Sequence, residues 1–293
     1  EGNITLDSSA NLTFGNQIDA SNFEDIFNAS GLSMGYIATF GIRNSWDHKE
    51  GIRQTGDIQG QGDGTSNVII SNDKTFRSTS NDVTTYGMVV LGAETDATEI
   101  KYTGLKIQKG SKEARILEGY DSSDSGNVRE DFTEFFEREL TNHQLNFSTY
   151  FDNGMTLEIK GSTGEASRNA PYERVVFYED TNDLGYWRYD VNTGRNQTQF
   201  SYVEDEIDNI GIDLQIPLTI SDTEVELKFG SELKENYREA EVRSFRFLAE
   251  GGPIPTEGLD NRIDYIFADK NFDPSRLIVI ENTAASSPAG YLG

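Results

Sequence analysis

Apolar and polar residues alternate along two neighbouring stretches of the chain, between Thr198 and Phe247. One parity is apolar, namely Ile210, Ile212, Leu214, Ile216 and Leu218 in the first stretch and Val225, Leu227, Phe229 and Leu233 in the second. The other parity is polar or charged, as at Asn209, Asp213, Gln215, Glu224, Glu226, Lys228, Glu232 and Lys234. Successive side chains of a strand point to opposite faces. The pattern therefore predicts two antiparallel strands that turn at 219–223 and share one apolar and one hydrophilic face.

The alternation lasts long enough for each strand to cross a membrane, which takes about 9 to 11 residues of a tilted strand. In such a strand the apolar residues contact lipid, and the polar residues face water or a polar plug. Similar patterns recur at 4–14, 34–46, 84–93, 99–108, 135–151 and 155–163. Between the last two, Asn153 and Gly154 predict a type I′ turn, because both residue types tolerate positive φ.

The predicted connections alternate between short and long. Short ones lie at 94–97, 152–154 and 219–223, and long ones lie at 47–82, 110–132, 168–197 and 248–293. Outer-membrane barrels combine short periplasmic turns with long extracellular loops, and antiparallel strands make the two alternate. We therefore expect an all-β fold, an antiparallel transmembrane β-barrel segment with about 8–9 strands of a larger barrel. Residues 1–293 would form this partial barrel domain, with 248–293 as an extracellular loop.

Composition narrows the functional classes. The net charge of −25 argues against a nucleic-acid partner, because phosphate binding needs clustered Lys and Arg. The chain has no cysteine, which excludes disulfides and thiolate chemistry, and no run of 18 or more apolar residues that would predict a transmembrane helix. Its two histidines, His48 and His143, accompany no nucleophile motif. We therefore predict neither an enzyme nor a cofactor or metal site.

Three segments resemble the barrel domain of TonB-dependent outer-membrane receptors: Phe136–Thr141, Glu165–Arg174 and Arg238–Phe247. They occur in the order that this family shows, and the resemblance covers roughly 33–247. It implies a barrel of about 22 strands, filled by an N-terminal plug domain. It also implies TonB-energised uptake of a scarce nutrient of the iron-siderophore or oligosaccharide class, in the outer membrane of a Gram-negative bacterium.

The chain departs from that family pattern, because it shows no TonB box, no plug domain and no closing C-terminal strand. We expect it to be part of the barrel wall. Its expected partners are outer-membrane lipid, its own plug domain, the TonB complex through the N-terminal part, and a small-molecule or oligosaccharide ligand.

Aromatic residues in the predicted loop 168–197 are the candidate ligand-binding residues, because such rings can stack on a sugar or an aromatic chelator. They are, with a neighbouring arginine, Tyr172, Tyr178, Tyr186, Trp187, Arg188 and Tyr189. A different class of protein remains open: a soluble, secreted β-sandwich or β-helical carbohydrate-binding module whose acidic loops hold calcium. That alternative predicts folding without detergent.

Overall fold

The computed structural model describes residues 2–19, 31–60, 66–180, 185–189, 195–220, 223–249, 254–255 and 278–282. Within these residues the regular structure is β-strand throughout, which confirms the predicted all-β class. These residues include no helix that is long and apolar enough to cross a membrane.

Eleven strands follow one another within the described residues. Their bounds are β1 Gly2–Asp19, β2 Ser33–Gly60, β3 Ser66–Glu94, β4 Thr98–Asp121, β5 Gly126–Tyr150, β6 Thr156–Asp180, β7 Arg188–Tyr189, β8 Gln197–Ile220, β9 Thr223–Ala249, β10 Ile254–Pro255 and β11 Ile278–Asn282. All pairings are antiparallel, in the order β1-β2-β3-β4-β5-β6-β8-β9-β11, while β7 pairs with β6 and β10.

The main path of this sheet contains nine strands, in agreement with the expected 8–9. The sheet is open, since the described strands include no pairing between β1 and β11. They also form a single sheet, whereas the alternative of a β-sandwich requires two sheets packed face to face.

The predicted long loops at 47–82 and 110–132 are mostly strand. Strand β2 runs to Gly60 and β3 begins at Ser66, while β4 and β5 leave only residues 122–125 between them. The connection predicted at 168–197 is also strand as far as Asp180. The predictions were wrong because these extensions lack a regular apolar–polar alternation. Their apolar residues are either scattered, as at Ile52, or consecutive, as in Val175–Phe177.

The region after Phe247 also departs from the loop assignment. Strand β11 pairs with the end of β9, from Ile278↔Ala249 to Asn282↔Phe245, and β10 pairs with β7. Most of 248–293 otherwise lies outside the described residues.

The turn between β5 and β6 lies where Asn153 and Gly154 predict it, but it is not type I′. Gly154 has φ +82°, whereas Asn153 does not have positive φ. The N–H of Gly154 donates to the carbonyl oxygen of Phe151 at 2.8 Å, and the N–H of Phe151 donates to that of Met155 at 2.9 Å. This is a three-residue connection with glycine in the left-handed position, a common hairpin form.

We call the end of the sheet with the connections 95–97, 151–155 and 221–222 the turn end. The opposite end, with the connections 61–65, 122–125 and 181–196, is the loop end. Almost all buried residues lie towards the loop end: Ser111, Leu117, Asp121, Val128, Asp131, Ala170, Val176, Phe177, Tyr178, Tyr189, Asn196 and Thr198. The exception is Ala38 in β2.

Candidate functional site

One face of the sheet is apolar near the turn end, and we call it the apolar face. The register places one residue from each of seven neighbouring strands in a single row on this face: Tyr36, Leu91, Tyr102, Leu145, Gly161, Ile210 and Leu233. Several of its side chains are well exposed, with Ile210 at 57%, Phe229 at 58% and Leu233 at 72%. Protein atoms therefore leave this face largely uncovered.

The loop-end limit of the apolar stretch runs obliquely across the hydrogen-bonded rows. On β8 and β9 the stretch ends at Ile210 and Leu233, whose row contains Asn16 of β1. On β1 and β2, exposed apolar side chains continue beyond that row to Leu6 and Trp46. A layer of constant thickness that crosses tilted strands has such an oblique boundary.

The opposite face, which we call the polar face, carries amides, hydroxyls and charges. Near the turn end its ion pairs include Lys160 Nζ with Glu158 at 2.9 Å and with Asp213 at 3.5 Å. Asn209 donates to Glu232 at 2.6 Å across the β8–β9 pair. This confirms the two faces that the alternation predicts for the region of Thr198–Phe247.

The candidate ligand-binding aromatics lie at the loop end, but the structure does not present them as one exposed platform. Tyr178 and Tyr189 are each 1% exposed, and their rings meet edge to face with centroids 6.5 Å apart. Tyr186 and Trp187 are half-buried. Arg188 forms an ion pair with Glu179 at 3.0 Å. The buried tyrosines are packing residues in this arrangement.

Tyr172 lies apart from that group. It stands in β6 directly opposite Phe135 of β5, with ring centroids 6.4 Å apart, and Arg174 lies 5.0 Å above its ring. The structure thus brings Tyr178, Arg188 and Tyr189 together through the β6–β7 pairing and leaves Tyr172 elsewhere on β6. A ligand-binding role for the set remains a prediction.

Asn196 explains how β7 and β8 can share β6 as a neighbour. The β6–β8 pairing ends at Val175↔Gln197, and β7 pairs with β6 at Tyr178 and Glu179. Between these pairings, the side-chain oxygen of Asn196 accepts the N–H of Phe177 at 2.6 Å. The backbone N–H of Phe177 is therefore paired at the point where the neighbour of β6 changes from β8 to β7. An unpaired N–H would be costly there, because Phe177 is buried.

Two ion pairs at the loop end are well shielded from water. Lys74 Nζ lies 2.6 Å from Asp121, and the side chains are 13% and 11% exposed. Burial by itself would raise the pKa of Asp121, but hydrogen bonds from Lys74 and Ser123 outweigh it and lower that pKa to about 2. Arg129 binds Asp131 through two hydrogen bonds of 2.7 and 3.0 Å.

For Asp131 the balance is opposite. Burial raises the pKa of Asp131 above its ordinary value, although Arg129 acts to lower it. Burial also raises the pKa of the neighbouring Tyr178, with the charge of Asp131 acting in the same direction. The Tyr178 hydroxyl has no hydrogen-bond partner among the described residues. Both shifts favour the neutral side chain in the packed loop end.

The polar face also carries charges sorted into rows. Lys109, Arg138 and Arg168 are cross-strand partners on β4, β5 and β6, and we call them the basic row. Nearer the loop end, the register aligns Glu113, Glu134 and Glu173 on the same three strands, and we call these the acidic row. Burial raises the pKa of Glu134, and the charges of Glu113 and Glu173 raise it further.

Sequence reasoning missed both rows. The members of each row lie in separate segments of the chain, and no local motif connects them. Only the strand register, including the irregularity between Phe135 and Glu137, decides which charges stand side by side. Nowhere among the described residues do three or more His, Asp or Glu side chains form a group that could hold a metal ion.

Comparison with known proteins adds no assignment. No protein-family model matches the chain, and no curated protein matches it.

Proposed function

We propose that the chain forms part of the wall of a transmembrane β-barrel in the outer membrane of a Gram-negative bacterium. The observation that carries the proposal is the exposed apolar face, which extends across neighbouring strands from β1 to β9. Water-soluble monomers rarely expose an apolar patch beyond about 300–600 Å². Lipid would cover this face, while the polar face would line the lumen.

Two further features support a membrane contact. The oblique limit of the apolar stretch suits strands that tilt by about 35–45° through a bilayer. Aromatic side chains on the apolar face occur near its limits, with Phe151 at the turn end and Trp46 and Tyr237 towards the loop end. Amphipathic rings favour the boundary between lipid and water.

Within this class, we propose a TonB-dependent receptor that takes up a scarce nutrient. The support is the resemblance of Phe136–Thr141, Glu165–Arg174 and Arg238–Phe247 to that family. The family pattern assigns a plug domain to the lumen, contact with the TonB complex to the N-terminal part, and an iron chelate or oligosaccharide as the cargo. The polar face offers hydrogen-bonding groups to a plug or a cargo.

Single cysteines test the wall, because residues 1–293 contain none and an introduced thiol is therefore unique within them. Ile212→Cys lies on the apolar face and Asp213→Cys on the polar face of the same strand. In membranes containing the intact protein, we expect a small cationic thiol reagent to modify residue 213 and leave residue 212 unmodified. A lipid-soluble maleimide should reverse that preference.

Equal and rapid modification of both thiols by the cationic reagent would overturn the membrane assignment. It is also the result that a soluble carbohydrate-binding module gives. Modification after the protein is unfolded in detergent and urea is the control, since both thiols should then react.

Uptake is tested in cells that produce the intact protein, supplied with ferric chelates or oligosaccharides as the only source of iron or carbon. We expect growth on at least one source to depend on both this protein and a functional TonB complex. Growth that is unchanged when the TonB complex is removed would exclude energised uptake, while leaving the cysteine result to decide the membrane wall.

A further inference from the structure

The basic row is an unusual arrangement for this chain. Lys109 lies directly opposite Arg138, and Arg138 lies directly opposite Arg168, so three cations occupy one row of three adjacent strands. Like charges in directly opposite positions of an antiparallel sheet destabilise it. The chain has 25 basic and 50 acidic residues, so acidic residues are twice as numerous as basic ones. A row of three adjacent basic residues is therefore not expected from the composition. The clustering therefore favours a function over a folding role.

The two arginines of this row lack acidic partners. Lys109 Nζ is paired with Asp82 at 2.9 Å. By contrast, no carboxylate among the described residues forms an ion pair with Arg138 or Arg168. The Arg168 guanidinium donates to the hydroxyl of Ser201 at 2.7 Å.

An aromatic ring holds both guanidinium groups. The guanidinium carbons of Arg138 and Arg168 lie 4.7 and 5.2 Å from the ring centre of Phe136. Cations at this distance from an aromatic ring are attracted to it. The ring therefore positions the two charges without neutralising them, and leaves their N–H groups available to an anion.

A cavity of about 480 Å³ lies beside the basic row. Its lining includes the apolar side chains of Ile107, Leu140, Ala166 and Val203, the basic residues Lys109, Arg138, Arg168 and Arg238, and the carboxylates Glu139 and Asp205. Glu139 is paired with Lys106 at 2.6 Å. Arg238 is paired with Asp205 at 3.1 Å. This volume lies in the usual range of small-molecule sites, about 300–1,000 Å³, which combine apolar walls with a few polar groups.

We propose that this cavity binds a small molecule that carries two or more oxyanion groups, carboxylate or phosphate, on a partly apolar body. The guanidinium groups of Arg138 and Arg168 bind the oxyanions through paired N–H donors, and Lys109 adds a further positive charge. Ile107, Leu140 and Val203 contact the apolar body. Bound anion relieves the repulsion within the row.

The acidic row limits the reach of this site. Glu113, Glu134 and Glu173 lie on the same strands nearer the loop end, with Ser111 and Phe136 between the two rows. An anionic ligand is repelled by one row and attracted by the other, so its charged groups are directed to the basic row. The inference rests on the proposed function in one respect, that the polar face lines the lumen of a barrel.

The test measures the melting temperature of the intact, purified protein in detergent, with sodium citrate or sodium phosphate as the probe. Sodium chloride of equal ionic strength is the reference. At saturation, we expect citrate, phosphate or both to raise the melting temperature by about 5 °C or more above the chloride value. The two probes distinguish carboxylate from phosphate selectivity.

The doubly substituted protein, Arg138→Gln with Arg168→Gln, should lose this increase. Without added anion, it should melt above the unsubstituted protein, because the like charges are gone. Lys234→Gln is the matched control, since it removes one positive charge from the polar face nearer the turn end. It should keep the full response to citrate or phosphate.

Two outcomes would overturn the proposal: no response of the unsubstituted protein to either anion beyond chloride, or an equal response in the double variant. If the double variant does not fold, equilibrium dialysis of radiolabelled citrate and phosphate against the unsubstituted protein decides instead, and absence of saturable binding overturns the site. The cysteine labelling of residues 212 and 213 tests the barrel wall independently of these results. Failure of the anion site would therefore not contradict the proposal that the chain forms a barrel wall.

Discussion

The two ends of the sheet differ in how much protein covers their side chains. Near the turn end the sheet is a single layer with exposed side chains on both faces, whereas at the loop end side chains are buried by other protein atoms. Near the turn end, the apolar side chains Ile212, Leu227 and Phe229 remain substantially exposed. At the loop end, Val176, Phe177 and Tyr178 are buried, and the segment around Tyr189 covers the edge of β6. The same strands run through both regions, so secondary structure does not account for the difference.

The comparison shows that the two ends are stabilised by different surroundings. Protein atoms bury apolar side chains at the loop end, as in a water-soluble domain. Near the turn end the backbone ladder pairs the strands, and the apolar side chains contact little protein. Lipid would supply their environment, since a bilayer requires only that the backbone be paired and the outer side chains apolar.

A large effect should come from the shielded ion pair at the loop end. Asp121→Asn leaves Lys74 charged and 13% exposed without its counter-charge, which should lower the free energy of unfolding by about 3 kcal/mol. Asp7→Asn removes the partner of the exposed Arg43 and should leave the melting temperature unchanged within error. Thermal unfolding in detergent measures both.

The pH dependence has a definite sign. The pKa of Asp121 is lowered to about 2, so its contribution is complete above the ordinary aspartate pKa and is lost as the pH falls towards 2. The Asp121→Asn protein should therefore differ most from the unsubstituted protein at neutral pH. A difference that persists undiminished at the acid limit would contradict the assignment.

A charged residue introduced on the apolar face tests whether that face contacts lipid or water. Phe147 faces Ile100 and Ile159 on the neighbouring strands, whereas Ser148 faces Glu99 and Glu158 on the polar face. In a bilayer, Phe147→Arg should cost about 2–4 kcal/mol, as arginine does on the lipid face of a barrel. Ser148→Arg gains acidic neighbours and should be tolerated.

Folding yield into lipid vesicles, followed by urea titration, measures this pair. In lipid, the two substitutions should separate clearly. If Phe147→Arg folds into vesicles as well as Ser148→Arg does, the apolar face does not contact lipid.

The smallest effect concerns the acidic row. Burial, with Glu113 and Glu173, raises the pKa of Glu134, so ionised Glu134 weakens the fold at neutral pH. Arg115 and Arg168 only partly offset this effect. Glu134→Gln should stabilise the protein by about 0.2–1 kcal/mol at neutral pH, the usual size of an unfavourable cross-strand charge pair.

That gain should shrink as the pH falls through the raised pKa, because the natural side chain then becomes protonated as well. Melting temperatures of both proteins across this pH range measure it. A gain that does not depend on pH would show that charge is not its cause.

Much of the fold near the turn end could be predicted. Paired strands with an apolar face were expected around Ile212 and Phe229, and the connections at 95–97 and 151–155 occur where expected. The details of the turn were not, because Asn153 keeps negative φ and only Gly154 adopts the left-handed conformation. Local residue types restrict a turn to a few forms, and the hydrogen bonds of the flanking strands select one.

The loop end could not be predicted in the same way. Residues 47–60 carry no apolar alternation, yet β2 continues through them because β3 offers partners along this length, with one register shift between Thr55 and Gly56. The aromatic set at Tyr178 and Tyr189 was identified as a binding cluster by its residue types. Its burial depends on the pairing of β7 with β6, which residue types do not encode.

The amino-acid sequence by itself determined the strands near the turn end and the two faces they present. A period of two between apolar and polar residues separates them onto two faces only in an extended strand. The tertiary structure alone decided which distant residues became neighbours. Strand register places Arg138 opposite Lys109 and Arg168. The N–H of Phe177 finds its partner in Asn196, which lies in a different segment of the chain. Register is a long-range property, since a shift of one residue would turn every side chain to the other face.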